Sequence, residues 1–268
     1  MKAQELRFTG SVPFRYQQLM VPLFFRPYAE ELSRRASSFD PQRIIETAAG
    51  TGAVTEALSC SLPTAEIIAT DLNQPMLAVA ADHIHSDRVT FITANAEDLP
   101  FDEGGFDLVV CQFGAMFFPD KVRGHAEARR VLRKKGHYLL AIWDQIERNE
   151  LSNAAQQALF DVFPDDPPLF LQEGPFSYAD PRKIESDLRE AGFHTVDIET
   201  VGLKSHSPTA RDAAEALCYG TPMSVEVEDR EPGSLDRVFA AVERALRSFE
   251  GPGGIDAKMA AHIVTATK

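Results

Sequence analysis

Three cysteines, Cys60, Cys111 and Cys218, stand apart from one another with no Cys-x-x-Cys pair. That excludes a disulfide framework and a cysteine-ligated structural zinc, and it fits a reducing compartment. No apolar run approaches the ~20 residues of a membrane-spanning helix. Residues 1–7 carry charge with no apolar segment behind them, so a secretory signal is not expected and a cytoplasmic location is the default. Positive charge is also scarce: 27 Lys and Arg against 40 Asp and Glu leave a net charge of −13, which argues against a general nucleic-acid binder. The densest basic run, Arg129-Arg130-Val131-Leu132-Arg133-Lys134-Lys135, is expected to be the solvated face and C-terminal end of a helix. His83, His85, His125 and His137 lack metal-ligand spacing, and no metal is expected. No internal repeat is present, nor any Ser-His-Asp or Cys-His set.

What is present is an average globular composition in a chain of 268 residues, large enough to bury a core without staples. From residue 43 onward, short β-branched runs alternate with helical segments. Strands are predicted at 43–47, 65–71, 88–93, 106–111 and 136–143, with helices at 53–61, 74–85 and 120–134. That alternation implies βαβ units and a doubly wound α/β fold on a parallel sheet. Upstream, residues 15–36 form helical pieces interrupted by Pro22 and Pro27. Downstream the alternation stops. Helices are predicted at 151–162, 181–191, 209–218 and 235–249, a strand at 193–203, a charged loop at 226–233 and a final strand at 260–267.

Four stretches at the carboxyl ends of the predicted strands carry the chemistry. Glu46-Thr47-Ala48-Ala49-Gly50-Thr51-Gly52 follows the first strand, and its small residues let the backbone approach a ligand closely. Asp71 ends the second strand, where a carboxylate can accept both hydroxyls of a ribose; capping of the next helix is the structural alternative. Asn95-Ala96-Glu97-Asp98 follows the third strand and offers a polar side chain and a backbone N–H to the edge of a base. Cys111-Gln112-Phe113-Gly114 ends the fourth with carbonyls, an aromatic ring and a glycine turn.

Together these stretches resemble the class I S-adenosylmethionine-dependent methyltransferases of the small-molecule, UbiE-like type. The resemblance implies a Rossmann-like seven-stranded sheet in the order 3-2-1-4-5-7-6 with its last strand antiparallel, carrying helical lid insertions. It implies S-adenosylmethionine as cofactor. Ala48, Gly50 and Gly52 would face the methionine part, with Glu46 organising the turn or reaching the amino group through water. Asp71 would hold the ribose, Leu72 and Met76 would flank the adenine, and Asn95 with the Ala96 N–H would read its edge. Gln112 would offer its carbonyl to the amino group beside Phe113, and Tyr16, with residues 24–29, resembles a lid. Ala48 and Ala49 depart from the family's Gly-Cys pair, and Lys135 and His137 from the Pro and Gly before strand five.

The chain accordingly divides into a lid (1–40), a cofactor-binding core (41–144), cap insertions with strand six (145–250) and a terminal strand (251–268). The expected partner is a small-molecule methyl acceptor with a flat or apolar part, because Phe113, Phe117, Phe118, Trp143, Phe170, Phe176 and Tyr178 flank the site in sequence. Neither nucleic acid nor membrane is expected, and self-association into a homodimer is left open. An activated sulfonium methyl needs orientation more than a strong catalyst. If the acceptor needs a base, His206 and Asp144 are the candidates. A nicotinamide-dependent oxidoreductase is the main alternative, though Ala48, Gly50 and Ala53 match its glycine fingerprint poorly. A non-catalytic binding protein on the same fold is another.

Overall fold

The structure is a computed structural model that describes residue 10 and residues 12–268; the charged stretch 1–7 lies outside the described residues. Along the chain, α1 (Val12–Arg15) runs into a π-helical stretch (Tyr16–Phe25) and then α2 (Arg26–Ser37). There follow β1 (Arg43–Thr47), α3 (Ala53–Ser61), β2 (Glu66–Asp71), α4 (Gln74–His83), β3 (Val89–Thr93) and β4 (Phe106–Gln112). Next come α5 (Lys121–Val131), β5 (Leu132–Trp143), α6 (Glu150–Val162), α7 (Phe170–Glu173), α8 (Pro181–Glu190) and β6 (Thr195–Ser207). The remainder is α9 (Ala210–Tyr219), α10 (Met223–Arg230), α11 (Leu235–Leu246), the two-residue β7 (Glu250–Gly251) and β8 (Gly254–Thr267).

The strands lie in the order β3-β2-β1-β4-β5-β8-β6, with β7 paired to β8 as a short hairpin arm. β1 to β5 pair in parallel and β8 runs antiparallel to β5. This is the doubly wound order expected, with the hairpin turn falling on the Gly251–Gly254 cluster. Ile44, Ile45, Leu108, Val109, Leu139 and Leu140 are fully buried, as a parallel sheet covered on both faces requires.

The chain forms two compact units. One takes the described residues up to Pro27 with Asp144–Ser177 and Gly202–Ala260. In it, α11 packs on α6 and α9, and α9 packs on the π-helical stretch. Asn149 ties that unit's strand segment down: its Oδ1 accepts from Ala260 N–H at 3.1 Å, and its Nδ2 donates to Ala260 O at 3.3 Å. The other unit takes Tyr28–Trp143, Tyr178–Val201 and Ala261–Lys268, and holds β1 to β5 with α3, α4, α5 and α8.

Helix starts follow local chemistry. Asp120, Asp180 and Thr209 accept from the N–H groups of Arg123, Arg182 and Asp212 as N-caps, and Gly192, at φ +96°, follows the end of helix α8 in the left-handed conformation. Three expectations are corrected. Pro22 does not interrupt the N-terminal helix, because the run widens to a π-helix in which Arg26 N–H bonds Val21 O. The basic run is not all helix: α5 ends at Val131, Leu132 pairs with Phe106 of β4, and residues 133–136 bulge, with Lys135 at φ +65°, before His137 pairs with Leu108. Residues 223–230, predicted in part as loop, are α10, which buries Met223 and Val227 one turn apart.

Candidate active site

The tips of β1, β2 and β4 meet in the β-sheet unit. β1 delivers Glu46, 1% exposed, and its carboxylate accepts from the Thr55 hydroxyl in α3 at 2.5 Å. No cation compensates it, so burial raises its pKa to about 8, with the Asp71 charge adding to the rise. After Glu46 the chain turns sharply: Ala48 has φ +53°, Gly50 +56° and Gly52 +87°. Gly52 also has no room for a side chain. A Cβ there would sit 2.5 Å from Ile84 Cδ1 and 3.0 Å from Ala80 Cβ, so the turn is seated directly on α4.

β2 delivers Asp71. Its carboxylate accepts from Gly50 N–H at 2.8 Å and from Asn73 N–H at 2.7 Å, joining the turn after β1 to the start of α4. Burial raises its pKa, opposed by these hydrogen bonds. Both structural and ligand roles weighed for Asp71 are thus open to one side chain, since each carboxylate oxygen has two lone pairs. Leu72 beside it is 66% exposed, an apolar surface at the strand tip, whereas Met76 is buried beneath Gly50. Asn95 is exposed, but its Oδ1 already accepts from Glu97 N–H at 3.0 Å. Gln112 ends β4 opposite Ala141 of β5 and is half-buried. Tyr16 belongs to the other unit, stacked on Phe25 with ring centroids 5.0 Å apart.

The remaining candidates are dispersed. His206 lies on β6 with a side chain 72% exposed, 3.6 Å from Asp256. Asp144 follows β5 and accepts from Gln145 N–H at 2.7 Å. Phe118 and Tyr178 pack around the buried His125 of α5. Among the described residues no group of three or more His, Cys, Asp or Glu can hold a metal ion, and no helix is long and apolar enough to cross a membrane.

Thr55 is a residue of this cluster that pattern reading missed; its only signal is its position in the first turn of α3.

The donor set suits a ligand with a cationic end and a sugar. Two buried carboxyl groups flank the turn, the Thr51 hydroxyl is buried there without a protein partner, and Gly50 and Gly52 leave its backbone bare.

Residues 45–140 match the family described as a methyltransferase domain. A demethylmenaquinone methyltransferase of Clavibacter sepedonicus is 30% identical over 177 residues, covering 58% of this chain and 67% of that one. The chain belongs to the class I S-adenosylmethionine-dependent methyltransferases. The ubiquinone/menaquinone biosynthesis C-methyltransferase of Hahella chejuensis is 33% identical over 125 residues, 45% of this chain and 48% of that one. The chain thus spans about half to two thirds of the length of these curated relatives. Its fold is that of the phosphoethanolamine N-methyltransferase 2 of Haemonchus contortus in complex with S-adenosyl-L-methionine. The TM-score is 0.61 at 17% identity over 98% of this chain and 58% of that one. The methyltransferase's cofactor is S-adenosylmethionine, and the nicotinamide alternative falls away.

Proposed function

We propose that this methyltransferase moves the methyl group of S-adenosylmethionine to a small molecule with a flat, apolar part. A reduced quinone ring methylated at carbon is the acceptor class we favour. The observation that carries the cofactor half is the Gly50–Asp71 hydrogen bond at 2.8 Å, which sets a carboxylate at the edge of a turn of small residues with left-handed backbone at Ala48, Gly50 and Gly52. The acceptor half is supported by the names of the quinone-methylating relatives.

In this reading Asp71 binds the ribose hydroxyls, and Leu72 covers one face of the adenine. Asn95 and Ala96 meet its edge. Ala48, Gly50 and Gly52 leave space for the methionine part, whose ammonium is offset by Glu46 and met by the Gln112 carbonyl. Bound there, the cofactor supplies an electrophilic methyl on sulfur, open to in-line displacement. The protein's share is alignment and exclusion of water, worth several orders of magnitude in rate. A carbon acceptor on an electron-rich ring needs its proton removed only after attack, so no strongly basic side chain is demanded.

The test pairs two measurements on the purified full chain. Calorimetric titration with S-adenosylhomocysteine checks the cofactor reading, with micromolar binding expected. Release of S-adenosylhomocysteine from S-adenosylmethionine with a panel of reduced benzoquinones and naphthoquinones checks the acceptor. Binding without turnover of any quinol would overturn the acceptor class and leave the cofactor site standing.

A further inference from the structure

Three aromatic rings cluster behind the turn that follows β4. Phe113 and Trp143 lie face to face, with centroids 3.7 Å apart and planes 4° from parallel. Tyr28 of α2 stands edge-on to both, at 5.3 Å and 5.5 Å. Tyr28 is wholly buried, and its hydroxyl donates to Val201 O at 2.9 Å, so it is fixed from both ends. Such mixed face and edge packing is favourable beyond the area it buries.

The backbone at Phe113 is in the left-handed region, φ +53°, where a bulky residue is rare. Its N–H still donates to Ala141 O at 2.8 Å, keeping the β4–β5 ladder intact to its last residue. Gly114, the next residue, has no space for a Cβ: one would lie 2.4 Å from Ala48 Cβ and 3.0 Å from Cys111 Sγ. The tip of β4 therefore rests on Ala48, whose own φ is +53°. Two strained non-glycine residues on adjacent strand ends thus press together through Gly114. Strain of this kind persists only where the surroundings over-determine it. At Phe113 the over-determining contact is the ring stack.

We propose that Tyr28 and Trp143 are positioning residues for the methyl-donor site. Acting through Phe113, they hold the end of β4 against Ala48 and so fix the Glu46–Gly52 turn in the shape that receives the methionine part of the cofactor. This inference rests on the cofactor reading above. It requires neither Tyr28 nor Trp143 to touch the cofactor.

Trp143 is the single tryptophan of the chain, so its emission reports on the cluster. In the wild type, S-adenosylhomocysteine is expected to change that emission saturably, with the same dissociation constant as calorimetry. Phe113→Gly accepts the left-handed backbone without cost but removes the ring, and should weaken S-adenosylhomocysteine binding about tenfold. Trp143→Ala should weaken it about as much by calorimetry, while Trp143→Phe, which keeps a ring to stack, should stay within about threefold of wild type. In turnover assays the alanine and glycine variants should raise KM for S-adenosylmethionine more than they lower kcat. Circular dichroism and Tm confirm that each variant is folded; if Trp143→Ala is not, Phe113→Gly and Phe113→Leu carry the test. Folded Phe113→Gly or Trp143→Ala protein that binds S-adenosylhomocysteine as tightly as wild type overturns the proposal alone. Wild-type protein that fails to bind it overturns the cofactor reading and this inference together.

Discussion

The backbone N–H of Gly50 donates to the Asp71 carboxylate at 2.8 Å, so the turn after β1 is clamped by the same side chain that we propose binds the ribose. Asp71→Ala should therefore do two things at once. It strands the N–H groups of Gly50 and Asn73, lowering stability by about 1–3 kcal/mol, and it removes the ribose acceptor. Chemical denaturation and S-adenosylhomocysteine titration of the same protein separate the two effects. Loss of stability with unchanged affinity would reduce Asp71 to a clamp.

Ala48 and Gly52 make opposite predictions on one turn. Ala48 holds a left-handed backbone that glycine adopts freely, so Ala48→Gly should leave stability unchanged or raise it by up to about 1 kcal/mol. Gly52→Ala meets both positive φ and the Ile84 and Ala80 side chains, and should cost about 2–4 kcal/mol. Ile84→Ala in the Gly52→Ala background should recover the steric share only. A thermal-melt double-mutant cycle reads that coupling.

Glu46 makes stability depend on pH between about 4.5 and 8. Folded, its carboxyl keeps a proton up to about pH 8; unfolded, it releases it near the ordinary carboxyl value of 4.5. The folded state therefore holds more protons between those limits, and stability falls as pH rises across them. Glu46→Gln should match wild type near pH 4.5 and exceed it at pH 8 in urea unfolding. The same substitution should weaken cofactor binding, because an ammonium beside Glu46 would favour the ionised carboxylate, which glutamine cannot form.

His125 acts in an overlapping window with the opposite sign. It is fully buried between Tyr138 and Tyr178, and burial pushes its pKa down to about 4, with Asp187 opposing and Lys121 assisting. Between about pH 6.5 and 4 the unfolded chain takes up a proton that the folded one refuses. Stability contributed by the neutral ring is thus lost on acidification, by at most about 3 kcal/mol. His125→Phe removes a rise of stability with pH that Glu46 opposes, so the slope of unfolding free energy against pH should become more negative between about pH 4.5 and 6.5. An unchanged slope would mean the ring is charged in the native state.

Much of this was legible in the chain itself. The β-branched run Arg43 to Thr47 followed by small residues reads as a buried strand and a tight turn, and the structure has β1 and that turn there, with Asp71 at the end of β2. What escaped depends on partners distant in sequence. α10 looked like a charged loop because Glu226, Glu228, Asp229 and Arg230 crowd its second half just ahead of Pro232 and Gly233. Its rationale is remote: Glu226 accepts from the N–H groups of Leu169 and Phe170 at 3.2 Å and 2.9 Å, capping α7 from outside. Leu132 to Lys135 looked helical by propensity, yet Lys135 N–H bonds Lys268 O and Arg133 pairs with Asp107. No local pattern announces contacts of that kind.

The position of β8 has a bearing on how the protein comes to be made. β5 is flanked on one side by β4 and on the other by a strand that follows it by more than a hundred residues. While the chain emerges from the ribosome, the half that grips the donor can assemble around β1 to β5 with one raw edge exposed. β6, emerging sooner, has no berth in the sheet until β8 arrives to bridge it. Late closure of that gap is where nascent chains of this protein would be most open to chaperone capture or wrong pairing.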